Sequence, residues 1–204
     1  MRSHSLFRSC FIFMTLSYGI TSHATEERFT PLDAQGAVAD SSAPHTWQCT
    51  LDRYTGLTWE LKTAQPGLHF RDNTYSWHLP QPIQNGGDAG QAGDPHCSGT
   101  PCDTWAFVQS VNRIGWCGFH DWRLPQREEL RSLVDYTRSG PTLDTRAFPN
   151  AVAQFYWAAE SNAINPEEAW GIGFAFGFDY AYFKTNRVRT RLVRGKRLLL
   201  KGTP

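Results

Sequence analysis

The segment from residue 118 to residue 130 constrains the fold most, because several local signals agree there on a turn that leads into a helix. Its sequence is Gly-Phe-His-Asp-Trp-Arg-Leu-Pro-Gln-Arg-Glu-Glu-Leu. Pro125 has a preset φ and lacks an N–H, which suits the first turn of a helix, and Glu128 and Glu129 place negative charge near its positive end. We therefore predict a helix that begins near residue 125. The apolar residues that recur at helical spacing, and should face a core, are Leu130, Leu133 and Val134.

A second helix is predicted just upstream of this segment. Asp103 or Thr104 can cap its first turn, and Gly115 can end it in the left-handed conformation. The turn at 115–124, which carries Cys117, separates the two helices. The apolar face of the upstream helix consists of Phe107, Val108, Val111 and Ile114.

The rest of the chain predicts antiparallel β-structure. Residues 52–59 are typical of a hairpin with a Thr-Gly turn. Large apolar residues alternate with glycine or alanine from 170 to 177, so one side of that strand leaves room for a close neighbour. Further strands are predicted at 155–159, 180–183 and 188–193. We expect an α+β fold in which two helices pack on an antiparallel sheet, with long loops pinned by disulfide bonds.

Aromatic residues make up 14% of the 204 residues, with eight Trp and thirteen Phe. Large flat side chains in that number serve a dense core, a surface on which sugars stack, or both. We assign them mainly to the core of one domain, which a chain of this length can build.

The first 24 residues are typical of a secretory signal peptide. Arg2 and Arg8 flank a short apolar run, and small residues precede a cleavage site after Ala24. That run is too short to span a bilayer, and no later stretch is long and apolar enough to be a transmembrane segment. We therefore expect an exported protein that is secreted, periplasmic or on the cell surface. Its predicted parts are a polar linker at 25–46, one domain at 47–195 and a basic tail at 196–204.

Export makes disulfide bonds the leading interpretation of the cysteines. Removal of the signal peptide would leave four of them, an even number in an oxidising compartment. The short loop Cys97-Ser-Gly-Thr-Pro-Cys102 favours a bond between its ends, which leaves Cys49 to pair with Cys117. Zinc is the competing interpretation, but no Cys-x-x-Cys pair occurs and His96 adds little to a zinc site.

Charge is distributed unevenly along the chain. The formal net charge is +1, yet the residues after Asp179 carry eight lysines and arginines and no acid. Strand alternation over 188–193 would place Arg187, Arg189 and Arg191 on one face, as a row of guanidinium groups suited to sulfate or carboxylate. The alternative is a solvated strand face followed by a frayed cationic tail. The candidate ligand-binding residues are Lys184, Arg187, Arg189, Arg191, Arg194, Lys196 and Arg197.

A glycine-rich stretch at 85–94 offers oxygen ligands for calcium from Asn85, Asp88 and Asp94. Its spacing matches no EF-hand, and the bidentate glutamate is missing. We therefore expect no metal and no other cofactor, with calcium at 85–94 as the alternative.

Motifs for catalysis are weak in this sequence. It contains no Gly-x-Ser-x-Gly, no His-Glu-x-x-His and no phosphate-binding loop. His120 and Asp121 near Cys117 could imitate a thiol, its base and an orienting carboxylate, but a disulfide is the better use of that cysteine. We expect a binding protein rather than an enzyme.

Several of these segments together resemble the Lcl C-terminal domain family, which is named from a collagen-like bacterial adhesin. Trp-Arg-Leu-Pro followed by Glu-Glu-Leu is the most specific combination. The resemblance implies a C-type-lectin-like fold, related to that of the formylglycine-generating enzyme, on exported bacterial proteins. For the adhesin itself it implies sulfated glycosaminoglycans as ligands. The matching segments are residues 52–59, the Cys97–Cys102 loop, Val111-Asn112, residues 117–130, Phe148-Pro-Asn150, Tyr156-Trp157 and residues 188–195.

The sequence also departs from that family. No collagen repeat Gly-X-Y precedes the domain, so trimerisation through a stalk is not implied. Gln126 stands where family members often have Thr, a better helix cap, so we expect a looser helix start. Motifs of calcium-dependent lectins such as Glu-Pro-Asn are missing.

These observations support three hypotheses about function. The first is a lectin-like module whose partner is an anionic glycan or another surface polymer; a nucleic-acid partner is not expected for an exported chain. The second is a structural component of a pilus or envelope assembly that meets a protein partner through its aromatic sheet. The third is an unrecognised enzyme, which a deep pocket with converging titratable groups would favour.

Overall fold

The computed structural model describes residues 27–93 and 102–197. The predicted signal peptide, Asp94, Cys97 and most of the basic tail lie outside the described residues. In chain order the main elements are β1 (Phe29–Leu32), β2 (Cys49–Asp52), β3 (Leu57–Glu60), α1 (Thr104–Ile114), α2 (Arg127–Arg131), β4 (Phe155–Ser161), β5 (Glu168–Gly173), β6 (Phe178–Phe183) and β7 (Val193–Arg194).

The first sheet has the strand order β1-β2-β3-β7, and all its neighbours are antiparallel. The hairpin predicted at 52–59 is confirmed as β2 and β3. The linker prediction for 25–46 is wrong in its first part, because β1 pairs with β2 and buries Leu32. The four residues of β1, which include Pro31, are too few to show the alternating pattern of a strand. The strand is stabilised by its pairing with β2 and by the hydrogen bonds of Arg28 to Asp52.

The second sheet has the order β4-β5-β6, again antiparallel. The close approach predicted at the glycines of β5 is confirmed, since the Phe155 ring lies where a Cβ on Gly171 would be. The predicted strand at 170–177 is too long. It ends at Gly173, and the chain turns back at Gly177, whose φ is +80°.

Both predicted helices are present. In α1 the side chain of Asp103 accepts a hydrogen bond from the Ala106 N–H, and Gly115 ends the helix in the left-handed conformation. The second helix, α2, has only five residues. Its chain leaves the helix at Ser132, whose hydroxyl donates to the Glu129 carbonyl and so competes with the helical ladder. Leu133 is buried as predicted, but beyond the helix end.

The predicted strand at 188–193 does not form. The segment instead crosses from one sheet to the other through isolated bridges, in which Val188 pairs with Tyr75 and Arg189 with Tyr156. Only Val193–Arg194 joins the first sheet, as β7. The alternating pattern of the sequence therefore does not translate into a single strand with two faces.

The disulfide predicted between Cys49 and Cys117 is confirmed. It links β2 to the turn after α1. Cys102 is also disulfide-bonded, while its predicted partner Cys97 is outside the described residues. In the described parts of the chain no helix has the length and hydropathy needed to cross a membrane.

A buried carboxylate, Glu60, connects the end of β3 to the rest of the core. Its Oε1 lies 2.7 Å from the Lys62 Nζ and 2.7 Å from the His69 Nδ1, and its Oε2 accepts from the Leu192 N–H at 2.8 Å. The guanidinium of Arg191 donates to its backbone carbonyl. The side chains of this network are all buried, namely those of Glu60, Lys62, His69 and Arg191. Glu60 therefore binds both buried basic side chains, Lys62 through its carboxylate and Arg191 through its backbone carbonyl.

The environment of Glu60 keeps it ionised. Burial alone would raise its pKa, but the charge of Lys62 and the hydrogen bond from His69 outweigh that and lower the pKa to about 2. Burial lowers the pKa of Lys62, and Glu60 opposes this change. Because an ionised carboxylate only accepts hydrogen bonds, the proton of the His69 ring lies on Nδ1.

We predict that Glu60→Gln lowers the free energy of unfolding by about 3–5 kcal/mol, because it leaves Lys62 and Arg191 buried without a compensating charge. Urea unfolding followed by tryptophan fluorescence measures this. Glu168→Gln, at a less buried carboxylate, is the comparison variant.

The same network predicts a pH dependence. A carboxylate whose folded pKa is depressed stabilises the fold above its ordinary pKa of 4.5, and this contribution is lost as the pH falls towards about 2. The difference in free energy of unfolding between wild type and Glu60→Gln should therefore shrink as the pH falls from about 5 to about 2, which is the range set by the ordinary and the folded pKa of Glu60. A constant difference across that range would contradict the assignment.

Candidate ligand-binding surface

The seven basic residues predicted as one ligand-binding set are divided among separate places in the structure. Two of them are in the core, since Lys184 and Arg191 are each only 1% exposed. Arg191 stacks against the rings of Phe148 and Tyr156. The predicted row of Arg187, Arg189 and Arg191 on one face is therefore wrong, because the chain crosses between the sheets there and turns Arg191 inward.

Lys184 occupies the loop that the sequence suggested for calcium. Its Nζ donates to the backbone carbonyls of Asn85, at 3.0 Å, and Asp88, at 2.5 Å, and lies 4.3 Å from the centre of the Trp77 ring. The side chains of Asn85 and Asp88 accept instead from the N–H groups of Gly87 and Gly90. An ammonium group of the chain itself thus takes the carbonyls that a bound cation would use. No cluster of three or more acidic, His or Cys side chains able to hold a metal occurs among residues 27–93 and 102–197.

The other basic residues also separate. Arg194 donates to Asp121 at 2.6 Å and lies over the Phe119 ring. Arg197 lines a cleft beside α1, and Lys196 is exposed nearby in sequence. Only Arg187 and Arg189 stay together, both against the 71–74 loop.

Arg187 and Arg189 form the charged part of a surface beside the second sheet. Arg187 is exposed and donates to the hydroxyl and the carbonyl of Thr74. Arg189 donates to the Arg71 carbonyl at 3.1 Å and to Asp72 at 3.0 Å. These contacts fix both guanidinium groups at the end of the sheet.

Next to them lies an aromatic face, which we define as Phe155, Phe178, Tyr180 and Tyr182. The last three recur at every second position of β6, so they point to one side of the sheet. They are 52%, 55% and 38% exposed, respectively. Tyr182 makes edge contacts with Phe155 and Tyr180, with ring centroids 4.6 and 5.0 Å apart. The three β6 positions span roughly 13 Å, long enough for an extended ligand.

The opposite side of β6 is not available in the same way. Asp179 forms ion pairs there with Arg127 and Arg131 of α2, at 3.6 and 3.7 Å. The Arg127 guanidinium also lies 4.8 Å from the centre of the Trp170 ring on β5. The helix therefore covers one side of this sheet, while the aromatic face stays exposed.

A shallow groove joins the aromatic face to the two arginines. Phe155 and Tyr182 form its aromatic end, and Arg187 and Arg189 its charged end. Its lining also includes two amide side chains and one apolar side chain, those of Gln154, Asn186 and Val188. This combination of exposed rings, amides and guanidinium groups can stack on a sugar and bind its polar substituents.

Cys117, His120 and Asp121 do not form the arrangement of thiol, base and orienting carboxylate that their spacing could suggest. Cys117 is in the disulfide with Cys49, and the His120 Nδ1 bonds to the Asn112 carbonyl at 2.6 Å. Asp121 pairs with Arg194 rather than with His120.

A comparison with family models adds the identity of the domain. The model described as Lcl C-terminal domain matches residues 48–194. The chain belongs to this family. No curated protein and no solved structure matched it. The Lcl C-terminal domain therefore includes β2 through β7 and the whole aromatic face, while β1 precedes the matched residues.

The aromatic face was missed from the sequence, although a signal for it exists. Phe178, Tyr180 and Tyr182 alternate with Asp179 and Ala181, which is the pattern of a half-buried strand. The pattern does not tell which half is buried. The composition predicts aromatic residues mainly in the core, but here the side with Asp179 packs on α2.

We predict that Lys184→Met lowers the free energy of unfolding by about 1–3 kcal/mol, because the Asp88 carbonyl loses the ammonium that binds it and the Asn85 carbonyl keeps only weaker donors such as the Ser161 hydroxyl. Urea unfolding measures the loss, and faster hydrogen exchange in residues 85–90 would locate it. Lys196→Met, at an exposed lysine, is the matched control. Equal stability of the two variants would show that Lys184 does not hold the loop.

Proposed function

We propose that this Lcl C-terminal domain is an exported carbohydrate-binding module with a C-type-lectin-like fold. Its ligand is an anionic polysaccharide or a similar polymer of a cell surface. The sugar rings stack on the aromatic face, and the acidic substituents meet Arg187 and Arg189. The observation that carries the proposal is the exposure of three aromatic rings of β6 next to two arginines.

The aromatic face supports the carbohydrate part of the proposal. Monomeric proteins rarely expose several neighbouring large rings without a binding function. Tyrosine adds a hydroxyl at the end of an apolar ring, which suits a ligand with both apolar faces and hydroxyl groups. Tyr182 contacts the rings of Phe155 and Tyr180, and Phe178 stacks on Phe176, so these rings have less side-chain entropy to lose on binding.

The position of the arginines supports an acidic ligand. Guanidinium groups bind carboxylate and sulfate through paired hydrogen bonds, and the Thr74 and Arg71 carbonyls already hold these two in place. The basic composition after Asp179 adds long-range attraction, which salt screens. The buried Lys184 and Arg191 and the separate Arg194, Lys196 and Arg197 are not part of this contact.

A protein partner is the second candidate function. β6 is the last strand of its sheet, so one row of its backbone hydrogen-bonding groups is not used within that sheet. A strand from a pilus or envelope protein could pair with such an edge. In that case the partner would add to the sheet rather than stack on the rings.

Binding to immobilised heparin tests the carbohydrate proposal. We expect the wild-type domain to be retained at low salt and released as salt rises. Tyr180→Ala combined with Tyr182→Ala should weaken binding about tenfold, because two stacking rings are removed. Arg187→Ala should elute at lower salt than wild type.

Two matched variants control for general effects. Tyr54→Ala removes an exposed tyrosine in the turn between β2 and β3, and Arg113→Ala removes an exposed arginine on α1. Neither should change heparin binding. The proposal is wrong if the domain is not retained at low salt. If retention depends on Arg187 but not on the tyrosines, the contact is simple ion exchange and the stacking model fails.

A further inference from the structure

A second cleft lies away from the aromatic face, beside α1. It has a volume of about 280 Å³. Its walls come from α1, the 78–84 loop, the 123–126 segment and the end of β4. We infer that this cleft is a separate binding site for one neutral sugar ring or a polyol of similar size. The inference does not depend on the proposed function of the aromatic face.

The floor of the cleft is apolar and partly aromatic. Val108 and Leu124 are almost fully buried, and Leu79 and Ala159 complete the floor. The Trp105 side chain lines one wall. Such a floor with a ring beside it fits the apolar face of a pyranose, while the polar groups of the ligand point to the rim.

The rim carries groups that match hydroxyls rather than charges. Three glutamines line it, and each amide both donates and accepts hydrogen bonds, as a hydroxyl does. They are Gln81, Gln84 and Gln126. The Gln81 Oε1 is buried and finds no hydrogen-bond partner in the structure as described. A buried acceptor without a donor costs free energy, and a turn of the half-buried Gln81 amide towards the cleft would let a ligand hydroxyl supply that donor.

His78 adds an oriented ring nitrogen. Its backbone N–H and C=O both bond to the Thr104 hydroxyl, which fixes this residue to the start of α1. Its Nδ1 lies 2.9 Å from the Ala89 carbonyl, which can only accept. Nδ1 therefore carries the hydrogen, and in the neutral ring Nε2 is an acceptor for another hydroxyl.

The charges around the cleft balance, which favours an uncharged ligand. Arg123 makes two hydrogen bonds to the Glu129 carboxylate, at 2.7 and 2.8 Å, so its charge is already compensated. Glu160 and Arg197 line the same cleft with opposite charges. Glu160 accepts from the Arg127 backbone N–H, and burial raises its pKa. An anionic ligand would therefore gain little here.

Gln81→Met provides a sharp test, because it removes the amide and keeps a side chain of similar length. It removes an acceptor that has no partner in the unliganded protein, so the variant should be at least as stable as wild type. Sugar binding should nevertheless fall about tenfold, as expected for one lost hydrogen bond to a ligand hydroxyl. If Gln81 had a purely structural role, the variant would not lose sugar binding while keeping its stability.

The probes are free glucose, galactose, mannose and N-acetylglucosamine, titrated in the millimolar range against the exported chain and followed by saturation-transfer NMR. We expect binding of at least one sugar, reduced in Gln81→Met and unchanged in Gln109→Met, which alters an exposed glutamine of α1 outside the cleft. The variant Tyr180→Ala with Tyr182→Ala should bind like wild type.

Three results would overturn the inference: none of the four sugars binds, binding is undiminished in Gln81→Met, or binding is lost in the double tyrosine variant instead. The last result would assign the sugar to the aromatic face. Heparin retention is measured separately, so a failure here leaves the proposed function to stand or fall on its own experiment.

Discussion

The fold depends on a single buried carboxylate. Glu60 accepts hydrogen bonds from Lys62, His69 and the backbone of Leu192, and Arg191 binds its carbonyl oxygen. Charged groups enter a protein interior at a high free-energy cost unless they are paired and hydrogen-bonded. The Glu60 carboxylate meets both conditions, whereas the Nε and Nη2 of Arg191 are buried without a hydrogen-bond partner among the described residues. Glu60 also joins the end of β3 and the loop that follows it to the distant segment at 191–192. The crossover segment after β6 is held by this contact, and that segment carries Arg187 and Arg189.

The elements that the sequence predicted correctly are those whose signals are local. The ends of α1 follow from Asp103 and Gly115, and the hairpin of β2 and β3 from the residues between 52 and 59. The arginine row failed because its fate is decided at long range. Arg191 bonds to a residue 131 positions away in sequence, and nothing in the window 188–193 indicates that partner. The alternating pattern therefore predicts an exposed Arg191, whereas its guanidinium group is buried in the core.

The aromatic face shows a related limit. Alternation in β6 identifies two sides of a strand, but only the packing of α2 determines which side is covered. The ion pairs of Asp179 draw the polar side towards the helix, and Phe178, Tyr180 and Tyr182 are left outside. A sequence rule that buries aromatic residues therefore gives the inverse of the observed arrangement. The cleft beside α1 was equally hidden, because its glutamines come from segments far apart in the chain.

The contacts of Lys184 explain how the candidate binding surface keeps its shape without a ligand. Lys184 follows directly on β6, and its ammonium is bound by the carbonyls of the 85–88 loop. A few residues later, Val188 bonds to Tyr75 through both its N–H and its C=O. The turn that carries Arg187 is thus held at both ends, by Lys184 and by Val188. These contacts fix the distance between the aromatic rings and the guanidinium groups before a ligand binds. A site organised in advance loses less conformational entropy on binding, and an ammonium of the chain itself achieves this where a metal ion would make the organisation depend on its concentration.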